Sequence, residues 1–356
     1  MNESLKDPAR SPVPAMIGIC AVILVIAAMY WAQNVFAPLT FALLIIAMLW
    51  PFQRALQARM PQLLALLLSL TVTIVVMVLF SSLLAWSLSR VGRYALSDTA
   101  RFQTMYGELA TWLEGKGIVV SGLWEQHFNA GWVIRIVQHV SGRLNTTLTF
   151  LLVVLIYVML GLLEVSVIGR KLAAFKAGSV GQAFLIGSGE TAAKLRRYMW
   201  VRTLMSIMTG VLVWGLTYGA GLSLSAEWGV IAFALNYIPV IGPLFATVLP
   251  TLFAIAQFET WQAAILVFVC LNLIQFLVGS YLEPRIAGNA LSLSPVMVLF
   301  AVFFGTFLWG IAGAFIGVPI VIAIVTICAH HDSSRWIADV LGVGPEVEKG
   351  RPYGSG

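Results

Sequence analysis

Residues 236–243 read Asn-Tyr-Ile-Pro-Val-Ile-Gly-Pro, NYIPVIGP, in the middle of a stretch as apolar as a bilayer span. Two prolines, a glycine and an asparagine stand where an unbroken helix is the safest structure. Proline removes a backbone donor and frees carbonyls on the preceding turn. At membrane depth such groups are tolerated only when buried in protein or lining a wet cavity. The meaning of the stretch therefore turns on whether this part of the chain lies in a membrane.

Composition answers that question. The 356-residue chain is 60% hydrophobic and only 10% charged, with a mean hydropathy of +0.93, against roughly 25% charged residues in a soluble domain. A hydrocarbon core about 30 Å thick takes roughly 20 apolar residues as a helix, and several runs reach that length. An all-α polytopic membrane protein with about eight membrane segments is expected. The net charge of +6 reports topology rather than affinity for nucleic acid. Cys20, Cys270 and Cys328 lie in apolar runs without CxxC spacing and read as small core residues.

The chain divides by composition. Residues 1–89 hold a polar tail and three spans, about 14–32, 37–53 and 62–88. Residues 90–146 mix charges with Trp112, Trp124 and Trp132 and read as an amphipathic extramembrane segment. A fourth span covers 147–169, and a basic connector, 170–202, carries Arg170, Lys171, Lys176, Lys194, Arg196, Arg197 and Arg202. Residues 203–329 form a C-terminal membrane core: a fifth span to about residue 220, then a nearly all-apolar run from 226 to 328 interrupted by 258–260 and 281–294. Residues 330–356 are a polar tail. Positive-inside bias puts the connector and the Arg54/Arg59 loop in the cytoplasm. Both termini are then cytoplasmic and 90–146 faces outward. No signal-peptide cleavage site follows the first apolar run, so that run reads as a retained anchor.

The last third echoes itself. LSLS at 222–225 recurs at 291–294, and the same alignment sets Gly210 on Gly279, Pro250 on Pro319, Ala254 on Ala323 and Ile255 on Ile324. Each copy is a helix followed by a long broken stretch, 226–257 or 295–328. As straight helices these stretches would each run near 50 Å, about 1.5 Å per residue, well beyond the core. Their breaks are Asn236, Pro239, Gly242 and Pro243 in the first and Gly305, Gly310, Gly313, Gly317 and Pro319 in the second, with Pro250 as a further hinge. Repeated broken segments are the best sequence pointer to a transporter's substrate site. Two topologies fit. Both stretches span, or both are re-entrant hairpins in an inverted repeat.

Few side chains in these runs offer chemistry. Glu164 stands near the end of the fourth span, as an interfacial acid or a proton carrier. Glu283 and Arg285 flank Pro284 and could salt-bridge each other or face a substrate. Asn236, Tyr237 and Gln275 supply polar groups near the breaks, suited to a hydroxyl-rich ligand, to freed carbonyls or to a helix–helix bond. GxxxG at 215–219 and 313–317 predicts close helix packing. His127, His139, His330 and His331 lack metal-ligand spacing, and no Walker loop, HExxH or GxSxG nucleophile elbow occurs. No enzyme, metal or cofactor is expected.

Three motifs together resemble the autoinducer-2 exporter family of bacterial inner-membrane proteins. They are Asn236, Ile238, Pro239, Gly242 and Pro243; Pro284, Ile286 and Gly288 with Leu293 and Pro295; and Gly310, Gly313, Val318 and Pro319. One signature departs, reading Asn289-Ala290-Leu291-Ser292 before the Leu-x-Pro. The resemblance implies a homo-oligomeric inner-membrane transporter that exports a small hydrophilic signal, autoinducer-2, in quorum sensing. It also covers members described as cation/proton antiporters. Export driven by the proton gradient is the leading expectation. Cation/proton antiport and a non-transporting scaffold are the alternatives.

Overall fold

In a computed structural model the described residues are 13–97, 144–174, 180–258, 260–287 and 293–330, with isolated positions between them. Most of the segment 90–146, His127, His139, His331 and the 289–292 signature lie outside them. The elements are α1 (Val13–Trp31), α2 (Gln33–Gln57), α3 (Gln62–Ser97), α4 (Leu144–Ala173) and α5 (Val180–Gly219). They continue with α6 (Ser225–Leu235), α7 (Ile241–Phe258), α8 (Trp261–Gln275), a π-helical turn (Phe276–Leu282), α9 (Glu283–Ala287) and α10 (Pro295–Ala329). Seven helices among the described residues are long and apolar enough to cross a membrane, and α1 and α6 are shorter apolar helices.

Helix α5 corrects the expected layout. Residues 180–202 of the connector and the fifth span are one 40-residue helix, about 60 Å at 1.5 Å per residue, while Arg170 and Lys171 belong to α4. The change from basic to apolar composition marks a change of surroundings along one rod and not the end of a helix. Helix α3 likewise carries on past the expected end of its span to Ser97, and so takes Arg90 with it.

Both broken stretches fold back on themselves. In the first, α6 and α7 run antiparallel about a turn at 236–240. At its open end the Ser223 amide donates to Gln257 Oε1 (2.7 Å) and Gln257 Nε2 donates to the Gly221 carbonyl (2.8 Å). Farther in, Trp228 meets Phe253 with ring centroids 5.3 Å apart. In the second, α10 changes direction at Trp309 (φ −137°) and Gly310 (φ +62°). A Cβ on Gly305 or Gly313 would strike the other's carbonyl, and one on Gly317 would strike that of Ala301. The shorter arms, 225–235 and 295–308, rise about 16 and 21 Å, less than a core of about 30 Å. They turn back before crossing, so the re-entrant topology holds.

The repeat extends to the turns themselves. Val240 (φ +65°) and Gly310 (φ +62°) are the positive-φ residues at the two tips, one position off the LSLS alignment. Positive φ suits Gly310, whereas a β-branched residue there is strained by about 1–3 kcal/mol. Val240 is exposed, so little packing is lost with its side chain. Val240→Gly is therefore expected to raise the thermal unfolding midpoint in detergent. A lower midpoint would show that Val240 holds the tip by packing.

Around the hairpins the helices form three adjoining cores. Ala42 and Ile46 of α2, Leu66 of α3, and Val154, Val158 and Leu162 of α4 close an N-terminal trio. The first hairpin packs on Val213 of α5 and Val267 and Leu271 of α8. The second packs with Ala37 and Leu44 of α2 and Leu195, Tyr198 and Met199 of α5. The tips meet there: Tyr237 stacks on Phe315 at 5.3 Å, and Phe315 stacks on Phe41 of α2 at 5.5 Å. Against expectation Cys20 is exposed, on the peripheral α1. Of the two GxxxG motifs only Gly313–Gly317 meets a neighbour closely, while Gly215 and Gly219 have nothing within 4 Å of a built Cβ.

Candidate functional site

The tip of the first hairpin lies against one face of α5. Asn236 and Tyr237 follow directly on α6, where the prolines stop the helix and aim both side chains sideways. Asn236 Nδ2 donates to Ser206 Oγ (3.3 Å), and Tyr237 OH donates to Thr203 Oγ1 (3.0 Å). Pro239, Gly242 and Pro243 shape the turn: a Cβ on Gly242 would collide with the Leu235 carbonyl, so only glycine lets the arms close this tightly. Tyr237 is also ringed by Phe80 (6.2 Å) and Phe233 (5.6 Å) in edge-to-face contact.

The α5 face is polar along its length. Arg202, Ser206, Thr209 and Thr217 are all buried and recur at spacings of three or four, or twice four, which places them in one row. Ser206 faces Asn236, the neighbouring Gly210 lies on Gly229 and Phe233, and Thr217 reaches the Ser225 carbonyl at 3.5 Å. The row spans about 23 Å at 1.5 Å per residue, most of the thickness of a bilayer core. Thr209 Oγ1, in its middle, is buried with no hydrogen-bond partner. A buried hydroxyl in that state costs on the order of 1–3 kcal/mol, so the row carries polar capacity that the fold itself leaves unused.

A buried ion pair closes one end. Arg202 Nη1 donates to Glu283 Oε2 (3.2 Å), with the side chains only 10% and 16% exposed. Glu283 reaches α5 because the π-helical turn after Gln275 re-aims the chain at the end of α8; such turns are frequent at functional sites. This corrects the local Glu283–Arg285 bridge, one of the two roles expected for that pair. Arg285 instead lies over the Tyr281 ring at 4.1 Å. The expected helix–helix bond of Gln275 is absent as well, since its Nε2 is buried without a partner.

Some expected residues stand apart. Glu164 is exposed on α4, apart from this cluster. Pro250 and Pro319 sit inside α7 and α10, buried in the second arm of each hairpin, away from the turns. Gly305, Gly313 and Gly317 serve the crossing of the α10 arms. Sequence reasoning missed three groups: Arg202, read as a topology charge; Glu227, a lone acid inside the run taken as apolar; and its partner Arg90. Glu227 is 3% exposed, with Oε1 2.7 Å from Arg90 Nη1. The alignment is that of an ion pair rather than a directed hydrogen bond. The rule that ionisable groups at membrane depth are functional candidates would have found it.

Comparison with known proteins agrees with this architecture. Residues 19–331 match the family described as AI-2E family transporter. The AI-2 transport protein TqsA of Escherichia coli K12 is 28% identical over 329 residues, covering 92% of this chain and 94% of its own. A Haemophilus influenzae relative is 23% identical over 346 residues, 92% of this chain and 95% of that one. The Escherichia coli protein YhhT is 30% identical over 139 residues, 39% of this chain and 40% of its own. The family match covers nearly the whole described bundle, hairpins included, and the chain belongs to the AI-2E family of membrane transporters.

Proposed function

We propose that this transporter exports a small hydroxyl-rich molecule, autoinducer-2 being the candidate, from the bacterial cytoplasm across the inner membrane, driven by the proton gradient. The observation that carries the reading is the buried polar row of α5 facing a broken hairpin tip, with an unpartnered hydroxyl at Thr209. Hydroxyls and an amide suit a ligand that both gives and accepts hydrogen bonds. The similarity to TqsA supports the choice of cargo. Basic residues at the Val180 end of α5 support a cytoplasmic position for that end and for both termini. Its Gly219 end then faces outward, and the assembly is read as a homo-oligomer.

Proteoliposomes loaded with autoinducer-2 test the reading. Flux that rises with an imposed pH gradient is the expected result. No flux with or without the gradient would remove this cargo. Asn236→Leu is expected to cut flux at least tenfold while moving the unfolding midpoint little, and Thr209→Val to cut flux as much while raising the midpoint, because its hydroxyl has no partner to lose. The separation follows because an interhelical hydrogen bond in a membrane averages only about 0.6 kcal/mol. Equal losses of flux and stability would make both residues structural.

The buried Glu227 and the part-buried Glu283 favour cation/proton antiport as a second reading, since coupling needs an acid within the membrane. Cation-dependent proton flux that survives Glu283→Gln would count against it.

A further inference from the structure

We propose that Arg90 and Glu227 form the outward gate of the transport path, holding the open end of the first hairpin against α3. This rests on the transport reading and its orientation.

Helix α3 belongs to the N-terminal trio, yet its last turns reach both arms of the hairpin. Arg90 pairs with Glu227 in the first turn of α6, and Tyr94 packs on Phe253 of α7 at 4.9 Å. The polar row of α5 ends beside the same place, where Thr217 approaches the Ser225 carbonyl. To reach Thr209 from that side, a solute must pass between α5 and the hairpin. Any movement that parts the hairpin from α3 breaks the Arg90–Glu227 contact.

The charges around Glu227 make the contact decisive. Among the described residues, α3 brings Arg90 to it, while Tyr94 packs on Phe253 and Arg93 is exposed. The adjoining end of α5 contributes Thr217 and Trp214, and α7 contributes Phe253; none of these adds a charge. Arg90 is therefore the counter-ion of a carboxylate that is 3% exposed. The α6 N-terminus also favours a negative charge there, but by only about 0.3–2 kcal/mol. Leaving a buried charge unpaired costs on the order of 3–5 kcal/mol, so pairing with Arg90 dominates. Arg90 itself is 46% exposed and rests on the Trp86 ring at 5.3 Å. One partner buried and the other in reach of water makes a contact that opens toward the medium and responds to its ionic strength.

Thiol accessibility tests the gate without using a substrate. Cys20, Cys270 and Cys328 are replaced by serine or alanine, Thr209→Cys is introduced, and a membrane-impermeant maleimide is added to right-side-out and to inverted vesicles. With Glu227→Gln or Arg90→Gln, labelling in right-side-out vesicles is expected to rise at least fivefold, with no change in inverted vesicles. The exchanged pair R90E/E227R is expected to return labelling toward the parent rate. Raising external salt from 50 to 500 mM should speed labelling of the parent and leave Glu227→Gln unaffected. Unchanged labelling in both single variants overturns the gate, and so does a rise on both sides of the membrane, which would mean loosened packing. Arg90→Gln, at a half-exposed position, serves if Glu227→Gln does not fold. A failed autoinducer-2 flux assay beside a positive labelling result would remove the cargo and keep the gate.

Discussion

Gly313→Leu is expected to abolish the folded protein, with no monodisperse peak on size exclusion in detergent. Backbone meets backbone at the crossing of the α10 arms: Gly305 and Gly313 each lie where the other's Cβ would stand, against a carbonyl. No rotamer change relieves a collision with main chain, so the arms must separate. Ordinary overpacking costs about 1–3 kcal/mol, when side chains can move aside. Here separation also undoes the Ala301–Gly317 contact and the cluster around Val302 and Ile316, so the loss exceeds that range. Gly215→Leu is the control. A Cβ there would meet nothing within 4 Å, and its stability should stay within about 0.5 kcal/mol of the parent. A well-folded Gly313→Leu protein would mean that α10 does not fold back.

Breaking the Arg202–Glu283 pair should have the second largest effect. Arg202→Met leaves Glu283 as a nearly buried carboxylate without its cation, at a cost of about 3–5 kcal/mol. Glu283→Met leaves the guanidinium in the same position. The double variant R202M/E283M is expected to recover most of the stability, because removing both members of a buried pair is often neutral. Stability followed by denaturant titration in one detergent would show this non-additivity, and additive single losses would mean that the two side chains are not coupled. Flux separates structure from function. If the pair closes one end of the transport path, the stable double variant should still transport poorly.

Much of this was legible in the chain. Asn236 to Pro243 announced a break because proline cannot donate and its neighbours need polar company. The second break was legible only as lying somewhere among Gly305, Gly310, Gly313, Gly317 and Pro319, and the structure sets its turn at Gly310. The sequence could not choose between spanning and folding back. That choice rests on which carbonyl each glycine approaches, and the GxxxG spacing of Gly313 with Gly317 is the same as that of Gly215 with Gly219. Charge was misread where composition averaged over it. Arg202 looked like one more basic residue of a connector, but α5 continues through it and Glu283 arrives from eighty-one residues away. Glu227 vanished into an apolar run because a single acid barely changes its average. Arg90 was assigned to a loop because the expected span stopped before it, whereas α3 reaches Ser97.

The stacking of Tyr237 on Phe315 gives the two hairpins a common surface, so neither tip can retreat without baring a ring that the other covers. Tyr237 also carries the hydroxyl bonded to Thr203 beside the polar row. One residue thus belongs at once to the wall of the passage and to the seam between the two halves of the repeat. On the transport reading, cargo that displaces its hydroxyl on one side would push on Phe315 on the other. On that reading the seam ties the two hairpins together, so that a displacement of one is felt at the other.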